Sequence, residues 1–173
     1  VKIGVDPGTL SEIDSKLVRA AARAHLESGL TVTSHTGGSP TAAREQLRIF
    51  REEGVSPDAC VWVHAQGVDQ PGELARAAEE GAWISLDGVD TGSAETHVRR
   101  VLELRELGLL SRVLLSHDSI LHRPGGEEPR LLGALFTTVI PMLEASGFSA
   151  SEIRQLLVDN PRNALTIRVR PLS

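Results

Sequence analysis

The stretch Leu30-Thr31-Val32-Thr33-Ser34-His35, followed by Thr36-Gly37-Gly38-Ser39-Pro40, decides the fold. A short apolar run ends in histidine, a Gly-rich turn follows, and a helical pattern then covers Thr41–Glu53 with Gly54 as its stop. Strand, turn, helix is the unit of a parallel α/β protein. The same unit recurs on either side. Upstream, Val1-Lys2-Ile3-Gly4-Val5 reads as a strand, and Ser11 caps a helix reaching Ser28, with Glu12 and Asp14 in its first turn and Gly29 past its end. Downstream come strands at Ala59–His64, Ala82–Asp87 and Arg112–Asp118. Helices are predicted between them at Pro71–Glu80 and Ser93–Leu107. Successive strand starts lie roughly 23 to 30 residues apart, the length of a βα repeat. The runs are mostly apolar throughout, as parallel strands covered on both faces should be. After Asp118 a polar loop, Ser119–Arg130, is long enough for an active-site lid. Helices are expected at Leu131–Ala145 and Ser149–Val158, then a tail carrying Asn160-Pro161.

Composition narrows the function classes. The 173 residues suffice for one domain with a core, and the whole chain reads as a single domain. Net charge is −5 and the cations are scattered, which argues against nucleic acid or an anionic membrane as partner. Aromatic residues make up only 3% and tyrosine is absent, so base-stacking platforms are not expected. The longest apolar run falls far short of a membrane span. Cys60 is the one cysteine, so no intrachain disulfide forms, and a cytoplasmic location is expected.

Three strands end in metal-type residues: His35, His64 and Asp118. Polar side chains at the carboxyl ends of parallel strands are the pattern of an α/β-barrel active site. Alternation along a strand puts Lys2, Gly4 and Asp6 on one face, and likewise Thr31, Thr33 and His35, then Cys60, Trp62 and His64, and Leu114, Ser116 and Asp118. Two neutral imidazoles and a carboxylate with an open position can hold a divalent ion that activates water. Lys2, flanked by aliphatic residues, calls for an ion pair, a Schiff base or carboxylation by CO₂ if its strand is buried; an exposed, frayed end is the alternative. Asp87, Trp62 and His122 are candidate substrate contacts; core packing is the alternative for Trp62, a helix cap for Asp87 and a solvated loop for His122. His25 and His97, inside helices, read as surface residues. Ser116-His117-Asp118 is no catalytic triad, because neighbours on a strand point to opposite faces. Thr36–Ser39 reads as a turn rather than a phosphate loop.

The segments VKIGVDPG, TVTSHTGG, CVWVHAQ, ISLDGV, VLLSHDS and DNPRNAL, in this order, resemble the carboxyl-terminal half of the phosphotriesterase family in the amidohydrolase superfamily. The resemblance implies strands four to eight of a (β/α)₈ TIM barrel, and a metal-dependent hydrolase of esters, lactones or phosphotriesters. It implies two divalent ions, commonly zinc, bridged by hydroxide and by a carboxylated lysine that matches Lys2. It makes His35, His64 and Asp118 metal ligands, with Asp118 also the catalytic proton acceptor. The family's H-x-H pair has no counterpart in these residues, so the missing amino-terminal half, or a homodimer, is the expected partner. A non-catalytic half-barrel acting as an assembly module is the alternative. The acidic residue and histidine of the best-studied triesterase relay are also missing: those neighbourhoods read Ala65-Gln66-Gly67 and Asp87-Gly88.

Overall fold

The computed structural model describes residues 1–70, 72–118 and 132–172. Five strands form one all-parallel sheet in sequential order: β1 (Lys2–Gly4), β2 (Val32–His35), β3 (Cys60–Val63), β4 (Trp83–Leu86) and β5 (Val113–Leu115). Four helices make the crossovers: α1 (Glu12–Ser28), α2 (Pro40–Glu52), α3 (Glu73–Glu79) and α4 (Ala94–Glu106). The expected order of elements therefore holds, with strands a few residues shorter than the apolar runs. None of the described helices is long and apolar enough to cross a membrane.

Local chemistry explains the boundaries. Ser11 accepts the Asp14 N–H at 3.1 Å while the Asp14 carboxylate accepts the Ser11 N–H, a reciprocal cap that starts α1. Gly29 ends it at φ +69. Pro40 opens α2 behind a Ser39 cap, where its missing N–H costs nothing.

Register sorts the side chains into two faces. Lys2 pairs with Thr33, Thr33 with Val61 and Val61 with Trp83, while Gly4 pairs with His35 and His35 with Val63. These residues share one face, on which Val61, Trp83 and Ala164 form a small apolar cluster. Ile3, Val32, Cys60, Trp62, Ile84 and Val113 point the other way, into the main core against the helices. This corrects the expectation for β3: Trp62 is not on the face of His35. It is 3% exposed, packs towards α2 and donates its indole N–H to the Gly37 carbonyl at 2.7 Å.

Beyond β5, a π-helical turn (Leu135–Val139) runs into α5 (Ile140–Ala145). Then α6 (Ala150–Arg154), a second π-turn (Gln155–Asp159) and α7 (Asn160–Leu165) follow. Asn160-Pro161 thus lies in a helix, not in the expected tail. The final segment crosses the amino-terminal ends of the strands. It bonds Arg168 N–H to Gly29 O, Arg170 N–H to His25 Nε2 and Leu172 N–H to Gly54 O.

Candidate metal centre

Because all strands run the same way, the ends of β2, β3, β4 and β5 bring His35, His64, Asp87 and Asp118 to one end of the sheet. Simple alternation would send His64 to the side of Trp62. It does not, because the ladder ends at Val63 and His64 adopts φ +63, ψ +34. Asp118 sits at φ +43. Among the described residues these two are the non-glycine residues with positive φ. Left-handed backbone at non-glycine positions is sparse, tolerated best by Asn, Asp and His, and concentrates at functional sites.

The turn brings the His64 ring to His35. The ring centroids are 4.2 Å apart at 74°, and His64 Nε2 lies 3.1 Å from His35 Nδ1. Two imidazole nitrogens bound to one tetrahedral ion at about 2.0–2.1 Å each stand about 3.3 Å apart. The observed pair has nearly that bite.

Asp87 fixes the other side of His64. Its carboxylate is 2% exposed and gathers four donors. Oδ1 accepts from His64 Nδ1 and from Gln66 Nε2 at 3.1 Å. Oδ2 accepts from the His64 backbone N–H and the Ser85 hydroxyl, each at 2.9 Å. With Nδ1 donating to Asp87, a neutral His64 has its Nε2 lone pair facing His35, free for an ion or for a hydrogen bond from His35 Nδ1. A carboxylate behind a histidine is the usual way to fix a metal-binding tautomer. Asp87 is therefore buried behind His64, not exposed as a substrate contact or spent on capping a helix. One donor atom each from His64, Asp87 and Asp118 lie within 4.8 Å of one another. Asp118 Oδ2 stands 3.9 Å from His64 Nδ1, with its side chain about half exposed.

Three expectations change. Lys2 is exposed rather than buried, on the face of Thr33 and His35, so burial does not force a partner on it. His25 and His97 are 0% and 1% exposed, not on the surface. His25 accepts the Arg170 N–H and faces Leu30 O at 2.9 Å; His97 ties Asp87 O to Ser93 O at 2.8 and 2.9 Å. Both lie on the apolar stripe of their helices, His25 three, four and seven residues after Ala22, Ala21 and Val18 and His97 between Ala94 and Val101, so helical spacing was a signal that could have placed them inside. His122 and the loop around it lie outside the described residues. Cys60 is buried, and burial pushes its thiol up to about 12, so it is inert. Gln66 closes the segment CVWVHAQ, but its residue type gave no sign that its amide would reach Asp87.

A sequential parallel sheet with histidine and carboxylate side chains gathered at its carboxyl end defines the class of α/β proteins whose active sites sit at that end. The chain belongs to the phosphotriesterase family, whose model matches residues 1–165. It is 32% identical over 167 residues to the phosphotriesterase homology protein of Escherichia coli, covering 92% of this chain and 56% of that protein. It is 28% identical to the aryldialkylphosphatase of Saccharolobus solfataricus (94% and 56% covered) and 26% identical to human N-acetyltaurine hydrolase (92% and 50%). The solved Escherichia coli protein, complexed with phosphate in its active site, superposes with a TM-score of 0.80 at 31% identity, covering 93% of this chain and 57% of that one. A lactonase from Listeria monocytogenes gives a TM-score of 0.85 at 25% identity, covering 97% and 54%. The chain thus spans about half the length of the curated relatives it matches.

Proposed function

We propose that this chain supplies the carboxyl-terminal part of a metal-dependent hydrolase barrel. His35 Nδ1 and His64 Nε2 hold one divalent ion, zinc by the chemistry of the donors. The observation that carries this is the His64 turn. A residue in sparsely populated backbone aims its ring at His35, while a buried carboxylate pins the opposite nitrogen. Lys2, carboxylated by CO₂ to a carbamate, would add an anionic ligand for a second ion, whose other ligands would come from the part of the relatives' length that this chain does not span. When bound, such ions supply Lewis acidity and activate water near neutral pH.

The protein's own groups then have separate tasks. His64 stays in one tautomer because Asp87 holds it. Asp118, half exposed at the end of β5, ligates and accepts the proton released as water attacks. The stretches Ala65-Gln66-Gly67 and Asp87-Gly88 hold neither the acid nor the histidine with which the best-studied triesterases build a relay, so that relay does not continue a proton path from Asp118. The backbone at Gly67 is closely packed: a Cβ on Gly38 would stand 2.4 Å from the Gly67 carbonyl oxygen. We therefore favour a carboxylic ester or lactone over a phosphotriester as the substrate class, and a small molecule in either case.

The test is hydrolysis of simple lactones, aryl esters and phosphotriesters by the full-length protein supplied with zinc. Lactone or ester turnover is expected to exceed phosphotriester turnover. Asp118→Asn is expected to lower kcat by about 10²–10⁴-fold, the usual worth of a positioned proton acceptor. Unchanged hydrolysis in Asp118→Asn would refute the assignment.

A further inference from the structure

We infer that Gln66 is a positioning residue for the metal cluster, acting through Asp87; the inference rests on the proposed reading of His35 and His64 as ligands. Gln66 sits in the short turn Ala65–Gly67 directly after His64. Its carboxamide brackets Asp87 from two sides. Oε1 accepts the Asp87 backbone N–H at 3.1 Å, and Nε2 donates to Asp87 Oδ1 at 3.1 Å. That oxygen is the one that accepts from His64 Nδ1. The side chain's two hydrogen bonds thus both end on the residue that sets the His64 tautomer.

Geometry makes the arrangement specific. Oδ2 is already committed to the His64 N–H and to Ser85. With Gln66 on Oδ1 and on the backbone, the carboxylate has one orientation, and His64 Nδ1 meets a fixed acceptor. Without Gln66, Oδ1 keeps only its His64 donor and the Asp87 N–H loses its acceptor, so the Oδ1 side of the carboxylate is held less tightly against His64. Gly88 lies alongside: a Cβ there would stand 3.6 Å from Gln66 Nε2, an ordinary contact.

The test compares the full chain with Gln66→Met, which has similar length but lacks the amide. Two quantities are read: zinc affinity by titration, and the His64 tautomer by NMR of ¹⁵N-histidine-labelled, metal-free protein. The expected result is about tenfold weaker zinc binding and a His64 that passes from the Nδ1–H form to a mixture. The His25 signal, at the opposite end of the sheet, should not move; it controls for general disruption. If both zinc affinity and the His64 signal match wild type, the inference is wrong. If wild type binds no zinc but the His64 signal still shifts in Gln66→Met, Gln66 keeps its role and the metal reading falls instead. Should Gln66→Met disturb His25, Gln66→Asn, one methylene too short to reach Oδ1, is read in the same way. An unshifted His64 there overturns the inference.

Discussion

At the scale of single residues, His64 was legible as a strand-end histidine but not as the residue that breaks the strand. Alternation grouped it with Trp62, and the structure sends Trp62 into the helix-packed core at 3% exposure. What differs is one backbone torsion, φ +63, which period-two reasoning cannot supply. Asp87 was visible only as a polar strand end, because its importance lies in the four donors that fold around it. Removing it makes a direct prediction. Asp87→Ala frees the His64 tautomer and leaves buried donors on Ser85, Gln66 and the His64 backbone without an acceptor. Zinc affinity should fall about 10–100-fold, and stability by about 1–3 kcal/mol, read by zinc titration and urea unfolding. A variant with wild-type affinity would show that Asp87 is a spectator.

At the scale of elements, α1 was the most legible part, because Ser11 and Gly29 state its boundaries in the sequence; that Ser39 and Ser149 cap α2 and α6 is seen only in the structure. The last helices were not. Both π-turns, Leu135–Val139 and Gln155–Asp159, sit immediately before helices with proline at an early position, Pro141 and Pro161. Proline has no N–H to bond the residue four back, and its ring crowds that carbonyl, so the preceding turn widens instead of ending. Asn160, 1% exposed, then anchors α7 by donating to Leu110 O and Val113 O, each at 2.8 Å, which keeps the helix going where the sequence suggested a tail. The start of α6 carries an electrostatic prediction. Arg105 from α4, together with the Ser149 cap, holds the Glu152 carboxyl at about 2, below its usual 4.5. The unfolded chain takes up this proton at a higher pH than the folded one. Glu152 therefore stabilises the fold above about pH 4.5, and its contribution is lost as pH falls towards about 2. Glu152→Gln should flatten the stability–pH curve in that window and leave its shape above pH 5 unchanged. An identical acid limb would contradict the assignment.

At the scale of the whole molecule, the order of strands and helices followed from the alternation of apolar runs, turns and helical patterns at βα spacing, but the closing segment did not, since it follows no hydrophobic period. Its hold depends on backbone contact: a Cβ on Gly29 would lie 2.8 Å from the Arg168 carbonyl carbon, at φ +69. Gly29→Ala should cost about 1–3 kcal/mol from backbone strain, plus loss of tail docking, and urea unfolding would show it; a neutral substitution would mean the tail does not seat there. Arg170, 4% exposed, adds bonds to the carbonyls of Asn163, Ala164 and Thr166, so the tail ties α7 to the base of the sheet. The sheet so held carries the strand-end cluster, in a chain that spans about half of its relatives' length. The central claim is that His35 and His64 share a metal ion, and zinc titration of the full chain beside His64→Ala tests it most directly. The account predicts saturable binding in the wild type, abolished or weakened at least a hundredfold in His64→Ala. Equal affinity in both proteins would contradict it.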